Sequence, residues 1–153
     1  MLIEILSKLR VLPIIEELLV HYSGFSLLSL LLSRSYSIPY IPTLLLTTIG
    51  KKSGLRRTVP LFFFRDGDSY FVIGSRGGAP KDPSWIPNLK IKPRALIRVD
   101  RKTLHTFAEF IEGHERERLW NIAVKAYPPY EKYEESAAPR EIPIIRLNPA
   151  TPA

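Results

Sequence analysis

The chain has 153 residues, a formal charge of +7 at pH 7 and no cysteine. That length supports one domain with a sizeable core rather than two, and the charge favours anionic partners: a phosphorylated cofactor, acidic lipid or nucleic acid. Disulfides, thiolate metal sites and cysteine nucleophiles are excluded, and His21, His105 and His114 fall on separate predicted elements, so no metal site is expected.

Residues 2–12 place Leu2, Ile5, Leu6, Leu9 and Leu12 on one helical face, opposite Glu4, Ser7 and Lys8. Pro13 opens a second helix, Ile14 to Tyr22, because an N–H of the first turn has no intrahelical partner. Ser23-Gly24 ends it, and an apolar stretch, Phe25 to Leu32, follows. Glu4, Lys8, Arg10, Glu16 and Glu17 interrupt any signal-peptide core. His21-Tyr22-Ser23-Gly24 breaks the roughly 20 apolar residues that a spanning helix needs. Residues 2–32 therefore read as packed on the domain or a partner subunit, with peripheral contact in a membrane interface as the functional alternative. Arg34 to Pro42 is an extended connector. The expected division is a leader over 1–42, a folded domain over 43–148 and a frayed end over 149–153.

Thr43 to Phe64 reads as strand, cationic turn, strand, bracketed by Gly50 and Gly54. Lys51, Lys52, Arg56 and Arg57 repel one another unless water or an anion screens them. Ser53 and Thr58 add hydroxyl donors, and the two glycines let backbone N–H groups approach an oxyanion. The turn is thus either a solvated hairpin tip or an anion cradle, and the cradle is the sharper reading.

Val59 to Arg65 and Ser69 to Gly74 form a hairpin about Asp66-Gly67-Asp68. Gly74 to Lys81 is a loop rich in glycine and cation, a flexible turn or a second anion contact. Asp82-Pro83 reads as a helix N-cap with proline behind it, or Ser84 as the cap, opening a short helix through Trp85, Asn88 and Leu89. Arg94 to Val99 and Thr103 to Ile111 form another hairpin, turning at Asp100-Arg101-Lys102. A helix over His114 to Ala126, with Leu119, Ile122, Ala123 and Ala126 on one stripe, stops at Pro128-Pro129. Tyr127, Tyr130 and Tyr133 follow at three-residue spacing, which puts Tyr130 and Tyr133 on neighbouring positions if they share a helical turn. Ile142 to Leu147 is a last strand, with Pro143 at its edge or end. Six antiparallel strands with few helices predict a mainly β, α+β chain folded as a small barrel with flanking helices.

Leu44 to Gly54, Gly74 to Pro80 and Trp85-Ile86-Pro87-Asn88-Leu89, with Tyr127 to Tyr130 and Arg140 to Pro143 in the same order, resemble the deazaflavin (F420)-dependent nitroreductases and quinone reductases. The resemblance implies a split β-barrel related to FMN-binding folds. It also implies that Lys51, Lys52, Ser53 and Arg57 meet the phosphate and acidic tail of F420, and that Thr58, Val59, Pro60, Leu61 and Phe62 line the groove. Ile73, Gly74, Ser75 and Arg76 would contact the cofactor, and Ser84, Trp85, Ile86, Pro87 and Asn88 would lie against it. Tyr130 would close over the deazaflavin, with Tyr133 nearby. The implied activity is hydride transfer from reduced F420 to a quinone or nitro-type acceptor, with Tyr130, Tyr133 and Ser75 as candidate donors to the acceptor. A homodimer, a cytoplasmic location at the inner face of the cell membrane and no nucleic-acid partner complete the expectation. Rival readings keep the barrel with FMN, haem or a fatty acid in place of F420, or make the chain a non-enzymatic basic module for membrane or nucleic acid. Three cations fit a long polyanionic tail better than the single phosphate of FMN.

Overall fold

The computed structural model describes residues 11–150, so the helix expected over residues 2–12 lies almost wholly outside it. Helix α1, Val11–Ser23, carries Pro13 in its first turn, and α2, Leu27–Ser35, occupies the stretch expected only to be apolar. Ser26 caps α2 through its hydroxyl, which accepts the Ser29 N–H at 2.9 Å. The buried carboxylate of Glu16 on α1 accepts from the Ser26 hydroxyl and, at 3.2 Å, from the Leu28 N–H. An acidic side chain thus sits where the positive end of the helix dipole favours it and fixes the bend between the helices.

Seven strands follow, not six: β1 Thr43–Ile49, β2 Arg56–Phe62, β3 Phe64–Asp66, β4 Ser69–Ile73, β5 Arg94–Val99, β6 Lys102–Phe110 and β7 Ile144–Pro149. All pairings are antiparallel, in the order β2-β1-β5-β6-β7-β4-β3. The count differs because the run read as one strand, Val59 to Arg65, divides at Phe63. β2 forms one edge of the sheet and β3 the other, and that single residue joins them. The sheet therefore curls until its edges meet.

The inner face of the curled sheet is filled, and its outer face is covered over β4 and β7. Leu44, Leu46, Val72, Ile97, Ile145 and Leu147 point inward, packing with Trp85, Ile86 and Leu89 of helix α3, Trp85–Ile91. Phe71, Ile73 and Ile144 point outward under helices α4, Gly113–Ala126, and α5, Tyr130–Ala137. β4 and β7 are buried on both sides, which is why they read as nearly continuous apolar runs. Of the stripe expected on α4, Leu119 and Ala123 are fully buried while Ile122 is exposed. Pro143 lies just before β7, an interior strand, and the chain stays ordered past residue 148: Asn148 and Pro149 belong to β7, and the Ala150 N–H donates to the His105 carbonyl at 2.8 Å.

The turns follow local chemistry. Gly67, at φ 60°, closes the β3–β4 hairpin, whereas Asp100 and Arg101 close β5–β6 in the left-handed region without a glycine. Asp82 does not cap α3; its carboxylate pairs with Arg140 at 2.8 Å, and Ser84, next to the helix, makes no side-chain cap either.

Candidate functional site

A cleft of about 540 Å³ opens along the edge of the sheet, within the size range of small-molecule sites. Val59, Pro60, Leu61 and Phe62 of β2 form one wall. Ile73, Ser75, Arg76 and Gly77 form a second with Asp82, Pro83, Ser84 and Trp85, and Tyr127, Tyr130 and Tyr133 form a third. Leu28 and Leu32, one helical turn apart on α2, complete the rim. Segments far apart in the chain that were expected to share a ligand thus meet at one hollow.

The three tyrosines pack on one another. The Tyr127 and Tyr133 hydroxyls are 2.9 Å apart, and the Tyr127 and Tyr130 rings meet edge-on with centroids 4.9 Å apart. Tyr130 and Tyr133 lie in the first turn of α5 with ring centroids 6.0 Å apart. Burial, with Tyr133 adding to it, pushes the Tyr130 phenol far above its ordinary value. Burial first, and then the hydrogen bond with Tyr133, does the same for Tyr127. Both phenols are therefore neutral O–H groups at physiological pH, able to donate but not poised to ionise.

The cationic turn lies outside this hollow, at the other end of β2. Lys51, Lys52, Ser53, Arg56 and Arg57 are exposed. The turn itself is tightly made. The Gly50 N–H donates to the Leu55 carbonyl at 2.7 Å, the Gly54 N–H to the Gly50 carbonyl at 2.9 Å, and the Leu55 N–H to Ser53 Oγ at 3.1 Å. A Cβ on Gly50 would lie 2.5 Å from Ser53 Oγ, so a larger residue there would push the Ser53 hydroxyl off the Leu55 N–H. Arg57 pairs across the ladder with Thr48 and shares the strand face of Val59 and Leu61. Two residues, or about 7 Å of strand, separate it from Val59.

Not every expected residue borders the cleft. Thr58 turns to the other side of β2, where its hydroxyl is 2.8 Å from that of Thr47, and both line a separate groove with Arg56. Ile86 belongs to the inner core. Asn88 is buried and acts as a tie: its Oδ1 accepts the Lys51 N–H at 2.8 Å and its Nδ2 donates to Thr48 Oγ1 at 3.0 Å. Gly74 is needed for close packing, since a Cβ there would meet Pro143 Cγ at 2.8 Å. Gly74 and Pro87 lie outside the cleft lining. Sequence reasoning did not count Tyr127 among the site residues and missed Leu28, Leu32, Gly77, Asp82 and Pro83 as lining residues. Only the i, i+4 spacing of the two leucines offered a signal.

The sequence profile described as F420H(2)-dependent quinone reductase matches residues 33–149. The chain is 36% identical over 108 residues, 69% of its own length and 72% of the relative's, to the F420H(2)-dependent quinone reductase Rv1261c of Mycobacterium tuberculosis. A solved structure described as an F420-H2 dependent reductase (FDR-A) is 41% identical, with a TM-score of 0.64 over 70% of this chain and 94% of that one. A second, described as a domain-swapped dimer, has the same identity and TM-score over 70% of this chain and 80% of its own. The chain belongs to the F420H2-dependent quinone reductase family, oxidoreductases that draw on reduced coenzyme F420.

Proposed function

We propose that this chain is a reductase whose cleft holds the deazaflavin of F420 and whose cationic turn holds its phosphate and acidic tail, with a quinone or nitro-type compound as acceptor. The observation that carries this reading is the layout of β2: apolar cleft walls at Val59 to Phe62, with an exposed cation, Arg57, two residues before Val59 and on the strand face of Val59 and Leu61. The donor set suits the ligand, because an aromatic and aliphatic cleft matches a planar tricycle and a cluster of cations matches several carboxylates and a phosphate. Bound reduced F420 supplies the hydride.

The side chains supply binding, orientation and a proton. Lys51, Lys52, Ser53 and Arg57 anchor the anionic arm. Val59 to Phe62, Ile73 and Trp85 exclude water from the hollow. The Tyr130 hydroxyl has no hydrogen-bond partner among the described residues, its backbone N–H donating to the Tyr127 carbonyl at 3.2 Å, which leaves the O–H free to donate to an acceptor oxygen as negative charge develops there. Tyr133, held by Tyr127, and Ser75 on the opposite wall are the other donors. We assign Gly74, Arg76, Ser84, Ile86, Pro87 and Asn88 to supporting the walls, and Thr58 to the reverse face of β2.

Titration of the purified chain with F420 and, separately, with FMN, followed by fluorescence, tests the reading. Tight F420 binding with oxidation of reduced F420 by menadione is expected; tight FMN binding without an F420 response overturns it. Tyr130→Phe should lower turnover with little change in cofactor affinity.

The leader suggests where the acceptor enters. Ile14, Leu18 and Tyr22 of α1 and Leu28 and Leu31 of α2 are exposed, and Leu28 reaches the cleft rim. No single helix among the described residues is long and apolar enough to cross a membrane, although α1 and α2, bent by 105°, have such a composition together. We infer peripheral docking of this face on the inner side of the cell membrane, beside the cleft mouth. Deleting residues 2–32 should abolish sedimentation with liposomes; undiminished sedimentation overturns the docking.

A further inference from the structure

Arg140 follows α5 and borders no part of the cleft, yet it is the most fully bonded side chain beside it. Its Nε donates to the Ala79 carbonyl at 3.0 Å, Nη1 to the Gly74 carbonyl at 3.1 Å and to Asp82 Oδ1 at 2.8 Å, and Nη2 to the Ser75 carbonyl at 2.9 Å and the Ala79 carbonyl at 2.6 Å. A guanidinium has five N–H donors, and these five bonds use them all. The side chain is only 12% exposed.

The loop it grips does not hold its shape by local preference. Arg76, Gly77 and Gly78 stand in succession at φ 45°, 62° and 80°. A left-handed arginine persists only where surrounding contacts hold it. The loop also lies directly on α5: Ser136 Oγ donates to the Gly78 carbonyl at 2.7 Å, and a Cβ on Gly78 would fall 2.8 Å from Tyr133 Cα. One side of this contact presents Ser75 and Arg76 to the cleft, and the other presents Tyr130 and Tyr133.

We propose that Arg140 is a positioning residue: it locks the Gly74–Asp82 loop against α5 and so sets the gap between the Ser75–Arg76 wall and the tyrosine wall. Lysine keeps the charge but has a single nitrogen, which cannot span three carbonyls and a carboxylate. The effect on catalysis rests on the cleft being the F420 site; the effect on the loop does not.

The test compares the full chain with Arg140→Lys and Ser136→Ala in two measurements. In limited trypsin digestion, the exposed Arg76 and Lys81 report release of the loop. Cleavage after either should be about tenfold faster in Arg140→Lys, with other sites cut at the original rate, and KM for reduced F420 should rise by about tenfold, as expected for loss of a multidentate charge-assisted anchor. Ser136→Ala should move both in the same direction by about threefold, the scale of one lost neutral hydrogen bond. Unchanged loop cleavage in folded Arg140→Lys overturns the clamp, and faster cleavage with unaltered KM and kcat overturns its role in positioning. If Arg140→Lys does not fold, Ser136→Ala decides by the same two criteria. If the parent chain neither binds nor oxidises reduced F420, the proposed function fails, and the digestion still reads the clamp.

Discussion

The two halves of the candidate site are built in opposite ways. The tyrosine wall and the Gly74–Asp82 loop are interlocked and hydrogen-bonded, with Gly74, Gly78, Tyr127 and Tyr130 buried, whereas the Gly50–Leu55 turn carries its cations into water on a backbone closed by its own bonds. A planar ring needs a cavity whose width is fixed beforehand, because dispersion contacts weaken within an ångström. A flexible polyanionic arm needs only charge at the right end of the strand. Mutations in the first half should therefore cost stability, and those in the second only affinity.

The sharpest way to break that contrast is Gly78→Ala. A Cβ placed 2.8 Å from the Tyr133 backbone, at a left-handed φ, should cost about 2–4 kcal/mol of unfolding free energy in a denaturant titration. A loss under 1 kcal/mol would mean that the loop is free to move away, a value read against the roughly 1 kcal/mol typical of point substitutions. Asn88→Ala comes next and tests the seam between the halves. It leaves the Lys51 N–H and the Thr48 hydroxyl without their partner and should cost about 2–3 kcal/mol. It should also weaken F420 binding, because the turn loses its tether. Lys52→Ala and Arg57→Ala should each cost about 1.5–3 kcal/mol of cofactor affinity, measured by fluorescence titration, with thermal stability nearly unchanged. Equal losses of stability and affinity in these two variants would erase the distinction drawn here.

The smallest effect serves as a control far from both halves. Glu115 accepts from Arg118 and Arg146, and the Arg118 hydrogen bond foremost holds its carboxyl below its ordinary value of 4.5. The unfolded chain then takes up the proton first as pH falls, so the stabilisation is present above about pH 4.5 and fades as pH drops through the lowered value. A melting-temperature gap between the parent and Glu115→Gln should close over that range; a gap independent of pH would count against the pairing. The site tyrosines act at the opposite extreme. Raised by burial, they favour folding below about pH 10, where unfolded tyrosine stays protonated, and lose that contribution above it.

Much of this arrangement is legible in the chain itself because the signals are local. Gly50 and Gly54 bracket cations between two apolar runs, Gly67 sits in a two-residue turn, and Tyr130 and Tyr133 stand three apart behind a double proline. What stays hidden depends on distant contacts. Val59 to Phe64 is apolar apart from its proline throughout, so nothing in it marks Phe63 as the point where one strand becomes two. Asp82 resembles a helix cap until Arg140, 58 residues later, claims its carboxylate. Thr58 looks like part of the phosphate cradle because it adjoins Arg57, but strand alternation turns neighbouring side chains to opposite faces. Leu28 and Leu32 share a helix face by their spacing, but nothing local says that this face reaches the sheet edge.

The passage at Phe63 has a further consequence. One peptide unit sets the alignment of two hairpins that never pair with each other, so an added or deleted residue there would have no slack to absorb it. It would slip β2 along β1, or drag the β3–β4 hairpin out of step with β7. Length variation among proteins built on this plan should accordingly gather at the exposed tips and spare this crossing, whatever side chain occupies it.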